Sequence, residues 1–262
     1  MPISTASSVK INYDIVGQGP AMVLVHANPY DRRLWMFQAA RFSQFYTVVS
    51  IDIRGYGLSD KPTTPFTLED MADDILGVCK TEGIEKAIFG GCSVGSGIAL
   101  LIGLDHPEMT DAIILVGGSS RGGGNIQRRI DGFTSGDLAA YRRLHMTELF
   151  APGFTETPHG RWVMSLFDEN SHTLSGDSIA QIFHARAGCT MTPRLAGLKI
   201  PTLVINGEYD GSMPGGTETA ALIPGAVHAV IPGTGHACSI EDPMAFDAPV
   251  IKFLKDNKLW PA

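Results

Sequence analysis

The sequence predicts an α/β fold, a mostly parallel sheet with helices on both faces and a helical insertion in its second half. Three observations carry this reading. Continuous apolar runs recur, such as Ala21-Met22-Val23-Leu24-Val25 and Ala112-Ile113-Ile114-Leu115-Val116; strands covered on both faces need that composition. Helix-like segments alternate with these runs, as a parallel sheet requires. The alternation then stops after Gly117 and resumes at Ile200-Pro201, with helix-like stretches and no clear strand between.

The elements follow in order. Val9 to Val16 alternates as an edge strand does, and Gly17-Gln18-Gly19-Pro20 is a turn. Strands are expected at Ala21–Val25 and Thr47–Ile51. Leu68 to Thr81 has helical spacing, with Thr67 as N-cap and Glu69-Asp70 in the first turn. A strand at Ala87–Phe89, a helix after Ser93 and the strand 112–116 come next. Helix-like stretches cover 137–149, 160–167 and 177–187; later strands fall at 202–206 and 228–231, and a final helix runs from about Pro243 to Lys255. The domain reading is a core of residues 1–117 and 195–262, with 118–194 as a helical cap.

Composition narrows the function classes. A chain of 262 residues with 44% hydrophobic content can bury a large single core. The formal net charge of −7 argues against a nucleic-acid or anionic-membrane surface. The N-terminus lacks a basic region followed by an apolar run, and no apolar segment approaches the roughly 18 residues of a membrane span. A cytoplasmic protein is expected, as a monomer or homodimer, with a small molecule as its partner. Cys79, Cys92, Cys189 and Cys238 are scattered and read as free thiols. Neither a dinucleotide fingerprint nor a phosphate-binding loop is present, and no His/Cys cluster suggests a metal; no cofactor is expected.

Gly91-Cys92-Ser93-Val94-Gly95 reads G-x-S-x-G between an apolar strand and a helix of small and aliphatic residues. A serine at such a corner sits on a tight turn with its hydroxyl exposed, which makes Ser93 a candidate nucleophile. Gly118-Ser119-Ser120-Arg121-Gly122 matches the same pattern, but glycines follow where a packed helix should begin. Ser120 is therefore read as a loop residue. A serine nucleophile needs a base and an acid to orient it. His236, in Gly233-Thr234-Gly235-His236, follows one late strand, and Asp210, in Gly207-Glu208-Tyr209-Asp210, follows another. The order Ser93, Asp210, His236 suits convergence at the carboxyl ends of parallel strands. The oxyanion donors expected are the N–H of Val94 and an N–H of the loop His26-Ala27-Asn28-Pro29, that of Asn28 first and that of Ala27 second. His26 reads as a structural loop histidine and Cys92 as a small core residue.

With these residues in place, the chain resembles the α/β-hydrolase superfamily from about Ile11 to Leu254. The motifs carrying the likeness are Leu24-Val25-His26, Trp35, Asp52-Ile53-Arg54-Gly55-Tyr56-Gly57-Leu58-Ser59-Asp60, the Ser93 corner, Gly207-Glu208-Tyr209-Asp210, and Gly235-His236 with Glu241-Asp242-Pro243 and Phe246. Within the superfamily it is similar to small serine esterases, enol-lactonases and cofactor-free perhydrolases. The resemblance implies the α/β-hydrolase fold, an acyl-serine intermediate and no cofactor. Ala27 stands where the family often has Gly, and Ser93 stands where epoxide hydrolases and haloalkane dehalogenases use Asp. Asp52 and Arg54 read as loop supports.

The expected function is hydrolysis of a small carboxylic ester or lactone. Two alternatives use the same residues: a carbon–carbon hydrolase of a β-diketone or ring-fission product, and a ligand-binding signalling protein with little turnover. In the cap, Trp162 and Phe183 are expected to line the substrate pocket, with His184 and Arg186 as candidates for meeting a polar or carboxylate end of the substrate, although Arg186 reads first as part of a solvated helix face. Gly122-Gly123-Gly124 is expected to supply a joint for opening.

Overall fold

The computed structural model describes residues 2–123 and 125–261. Eight strands form one sheet: β1 (Ile3–Ser4), β2 (Ile11–Val16), β3 (Ala21–Val25), β4 (Thr47–Ile51), β5 (Ala87–Cys92), β6 (Thr110–Val116), β7 (Thr202–Gly207) and β8 (Val227–Ile231). Their order is β1-β2-β4-β3-β5-β6-β7-β8. β2 pairs antiparallel with both β1 and β4, and every pair from β4 to β8 is parallel. The edge position expected of β2 is therefore taken by β1, whose two residues are too short to show a periodic pattern.

β3, β4, β5 and β6 are buried along nearly their whole length because helices cover both faces. α1 (Met36–Phe42), α2 (Leu68–Thr81) and α3 (Val94–Asp105) lie in the first half, and α8 (Met213–Leu222), α9 (Cys238–Glu241) and α10 (Pro243–Asp256) in the last part. α2 spans the residues its spacing predicts. The Thr67 side chain accepts from the Asp70 N–H, and the Asp70 carboxylate accepts from the Thr67 N–H, so the two satisfy each other's orphan donors. α3 is buried for most of its length, consistent with its uniformly apolar sequence.

Between β6 and β7 the strand–helix alternation gives way to α4 (Ile126–Phe133), α5 (Leu138–Leu149), α6 (Pro158–Asp168) and α7 (Gly176–Ala187). α4 packs on α7, and α5 contacts both α4 and α6. The segment rises from the carboxyl end of β6, so it stands over the same sheet edge as the loops after β5, β7 and β8. Among the described residues, no helix is long and apolar enough to cross a membrane.

Candidate active site

Ser93 joins β5 to α3 with φ 56 and ψ −112, a left-handed conformation unusual for a side-chain-bearing residue. Its N–H donates to the Val116 carbonyl at 2.8 Å, and its carbonyl accepts from Gly97 N–H and from Ser96 Oγ at 2.7 Å. The strained corner is over-determined by its neighbours, as such conformations must be. Two flanking glycines permit it. A Cβ on Gly91 would lie 2.1 Å from the Gly95 carbonyl oxygen, and one on Gly95 would lie 2.3 Å from the Val25 carbonyl oxygen. Val94 opens α3, where a helix leaves its first amides without intrahelical acceptors.

The loops after β7 and β8 interlock. Tyr209 N–H donates to the Thr234 carbonyl, and Glu208 N–H to the Ile231 carbonyl. Asp210 Oδ1 lies 2.8 Å from His236 Nδ1. The carboxylate also accepts from Asn206 Nδ2 and from Ser212 N–H and Oγ, each at 2.8 Å. Burial acts to raise the Asp210 pKa, but the His236 charge and these donors outweigh it and hold the carboxyl well below the usual range. A network in which Nδ1 donates to Asp210 leaves Nε2 as the basic nitrogen. Gly117 is as necessary as the glycines of the corner: it has φ +56, and a Cβ there would fall 2.7 Å from the His236 ring.

One cavity of about 420 Å³ is lined by Ser93, Val94, Asn28, Asp210 and His236 together, with Phe183 also on its wall. Trp162 and His184, expected at the substrate pocket, do not line this cavity. Trp162 is 45% exposed because α6 buries Val163, Met164 and Phe167 instead, and its ring stacks on His159 and leans on Phe37. His184 lies on the exposed face of α7, which turns Ile182 and Phe183 inward. The glycine joint is only partly described, since Gly124 lies outside the described residues. Gly122 packs against the Arg186–Ala187 backbone, which would lie within 3 Å of a Cβ there.

The neighbouring candidates separate cleanly. Ser120 is buried, with its Oγ 2.7 Å from Thr192 Oγ1 and its N–H bonded to Thr219. Cys92 is wholly buried, and burial pushes its thiol well above the ordinary range. His26 accepts from the Ile53 N–H through Nε2, so its Nδ1 donates to the Ala27 carbonyl. Asp52 accepts from Arg32 and the Leu58 N–H, and Arg54 pairs with Asp74, so both act within the loops that hold them.

Two polar residues tie α5 to the site: Arg142, which sequence reasoning passed over, and Glu241, which it placed in a motif without a role. Arg142, 1% exposed, donates through Nε to the Pro29 carbonyl at 2.9 Å, through Nη1 to Ser171 Oγ at 2.8 Å, and also to the Phe167 carbonyl. It thereby anchors the loop carrying Asn28. Its signal was a charge within a row of residues otherwise facing inward, three and four apart from His145 and Met146. Glu241 accepts from the Gly235 N–H at 2.9 Å and the Ala151 N–H at 2.8 Å, and the His236 N–H donates to the Leu149 carbonyl at 2.7 Å. The His236 loop is thus fastened to the end of α5. Burial raises the Glu241 carboxyl to about 7, against the opposing pull of those two amides.

The α/β hydrolase fold family matches residues 20–243. The chain is 26% identical over 260 residues to 3-oxoadipate enol-lactonase 2 of Acinetobacter baylyi, covering 96% of this chain and 95% of that protein. Among solved structures it resembles the enol-lactonase of Burkholderia xenovorans LB400, with TM-score 0.89 and 26% identity over 97% of this chain and all of that one. It also resembles Est816, described as an N-acyl homoserine lactone degrading enzyme, with TM-score 0.83 and 26% identity over 96% of this chain and all of that one. The strand order, the corner after β5 and these matches agree: the chain belongs to the α/β-hydrolase fold family of enzymes.

Proposed function

We propose that the protein is a serine hydrolase of small carboxylic esters or lactones. The observation that carries this reading is the left-handed Ser93 corner sharing one cavity with a hydrogen-bonded His236–Asp210 pair. His236 Nε2 takes the proton of Ser93 Oγ as that oxygen attacks the carbonyl carbon. The carbonyl oxygen gains charge and meets the N–H groups of Val94 and Asn28. The carbon–oxygen bond to the leaving alcohol then breaks, and that alcohol takes the proton from Nε2. Water next gives a proton to His236 and attacks the acyl carbon, releasing the acid and restoring Ser93. For a lactone, alcohol and acid leave as one molecule. The names of the relatives, an enol-lactonase and a lactone-degrading enzyme, favour an ester-type bond.

Residues 118–194 serve as the cap that chooses the substrate. Supporting this, α4, α5 and α7 supply Ile126, Arg129, His145, Leu149, Phe183 and Arg186 to the cavity wall. A panel of p-nitrophenyl esters, lactones and β-diketones with wild type and Ser93→Ala tests the reading. Turnover of esters or lactones that is lost in Ser93→Ala supports it. Turnover confined to diketones would replace it with carbon–carbon hydrolysis, and binding without turnover would replace it with a receptor.

A further inference from the structure

The chain carries an excess of acids, 27 against 20 lysines and arginines. Its active-site cavity runs the other way. Arg121, Arg129 and Arg186 line the wall, against Glu148 and Asp210. Most of these charges are already matched. Arg121 pairs with Glu218, Glu148 with Arg128, and Asp210 with His236. Among the described residues, two guanidinium groups have no carboxylate within ion-pair distance.

Arg129, on α4, makes no side-chain hydrogen bond or ion pair with any described residue. Arg186, on α7, reaches only carbonyl oxygens, those of Ser119 at 2.6 Å and Cys189 at 3.3 Å. Its Nε lies 2.9 Å from where a Cβ on Gly97 would stand, which sets it against α3 one turn beyond Ser93. Burial pushes both groups below the ordinary guanidinium range, the sign of a cation short of compensation. A buried charge is stabilised when a counter-charge reaches it.

A third polar residue lines the same cavity. His145, on α5, is 1% exposed and lines the cavity, yet neither ring nitrogen has a hydrogen-bond partner among the described residues. Glu148 Oε2 lies 3.9 Å from its Nδ1, beyond hydrogen-bonding reach, and the other carboxylate oxygen, Oε1, is bonded to Arg128. Burial, with Arg129 and His236 nearby, lowers the His145 pKa to about 3, so the ring is neutral and has one N–H to donate. Both ring nitrogens are sealed from the cavity's solvent, so His145 adds a neutral wall and the two guanidinium groups remain the site's unpaired cations among the described residues.

We infer that the substrate carries a carboxylate remote from the scissile bond, held by the Arg129 and Arg186 guanidinium groups. Guanidinium forks match carboxylate geometry, which favours this anion. The inference rests on the hydrolase reading above and names its substrate class: an ester or lactone that bears a second, free carboxylate.

The test uses mono-4-nitrophenyl succinate, glutarate and adipate beside their methyl esters. Wild type should favour the best free acid over its methyl ester by about tenfold or more in kcat/KM, the equivalent of one charge-assisted contact. Arg129→Gln should bring that ratio close to one, and Arg129→Lys should restore part of it. Arg186→Gln should lower the ratio too, although its carbonyl bonds make Arg129 the cleaner site. Arg143→Gln, on the exposed face of α5 and paired with Asp168, should keep the wild-type ratio. A wild-type ratio of one or less, or a preference surviving in both Arg129→Gln and Arg186→Gln, would overturn the inference. Calorimetric binding of free glutarate separates the two readings. If no ester is cleaved but glutarate binds and Arg129→Gln abolishes that binding, the anion site stands and the hydrolase reading falls.

Discussion

The carboxyl end of the sheet and the helices above it treat their polar groups in opposite ways. Below, Asp210 is held by four donors from His236, Asn206 and Ser212, and the Ser93 backbone is bonded on both sides. Above, among the described residues, Arg129 has no side-chain partner, Arg186 reaches only carbonyl oxygens, and both His145 nitrogens are buried without a bond. Chemistry benefits from donors fixed before the substrate arrives, because no reorganisation is then needed in the transition state. Recognition benefits from groups whose partner is the substrate. Arg142 and Glu241 join the regions by fastening α5 to the loops of Asn28 and His236.

The sheet side should be the more sensitive. Asp210→Asn keeps the shape but reverses a hydrogen-bond role, favouring the wrong His236 tautomer. Its kcat on a p-nitrophenyl ester should fall roughly 10⁴-fold. A comparable loss in Glu208→Gln with a mild Asp210→Asn would move the acid to another residue and break the contrast.

The junction should show itself through pH. The Glu241 carboxyl is at about 7 in the folded chain against an ordinary 4.5. Between those values the folded state binds a proton that the unfolded state lacks. The stability from this group is therefore full below about pH 4.5 and is lost as pH rises through 7. Urea titrations from pH 5 to 8 should show wild type losing about 1–3 kcal/mol that Glu241→Gln does not lose, allowing for partial relaxation. An identical slope in both proteins would remove Glu241 from the account.

The smallest effects belong to the helical side. Phe183, stacked on Phe133 in the cavity wall, should change relative kcat/KM across acyl-chain lengths by roughly tenfold when truncated to Ala, the scale of a few methylene contacts. Trp162→Ala should shift the same ratios by less than about twofold, since its ring lies on the outer face of α6. Equal effects of the two would mean that α6 and α7 act through packing alone.

The sheet was legible because burial on both faces leaves a plain signature. β3 and β4 coincide with their apolar runs, and α2 announces itself through Thr67 and Asp70. Ser93, Asp210 and His236 were legible because each follows a strand, and parallel topology gathers such positions at one edge. α4 was not legible, since Ile126 to Phe133 carries two arginines and follows glycines. α8 was hidden by Pro214-Gly215-Gly216, where Gly216 admits the Asn206 side chain that itself holds Asp210. Periodicity gave α6 and α7 an inner face but did not distinguish core from cavity, so Trp162 and His184 were misassigned while Arg129 and His145 went unnoticed.

The most direct measurement is covalent. A small fluorophosphonate reacts only with a serine whose hydroxyl is activated and reachable. Intact mass should show one adduct per chain, and peptide mapping should place it on Ser93, with labelling absent in Ser93→Ala and strongly slowed in His236→Ala. An adduct on Ser120 or Cys92, or labelling that persists in Ser93→Ala, would contradict the account.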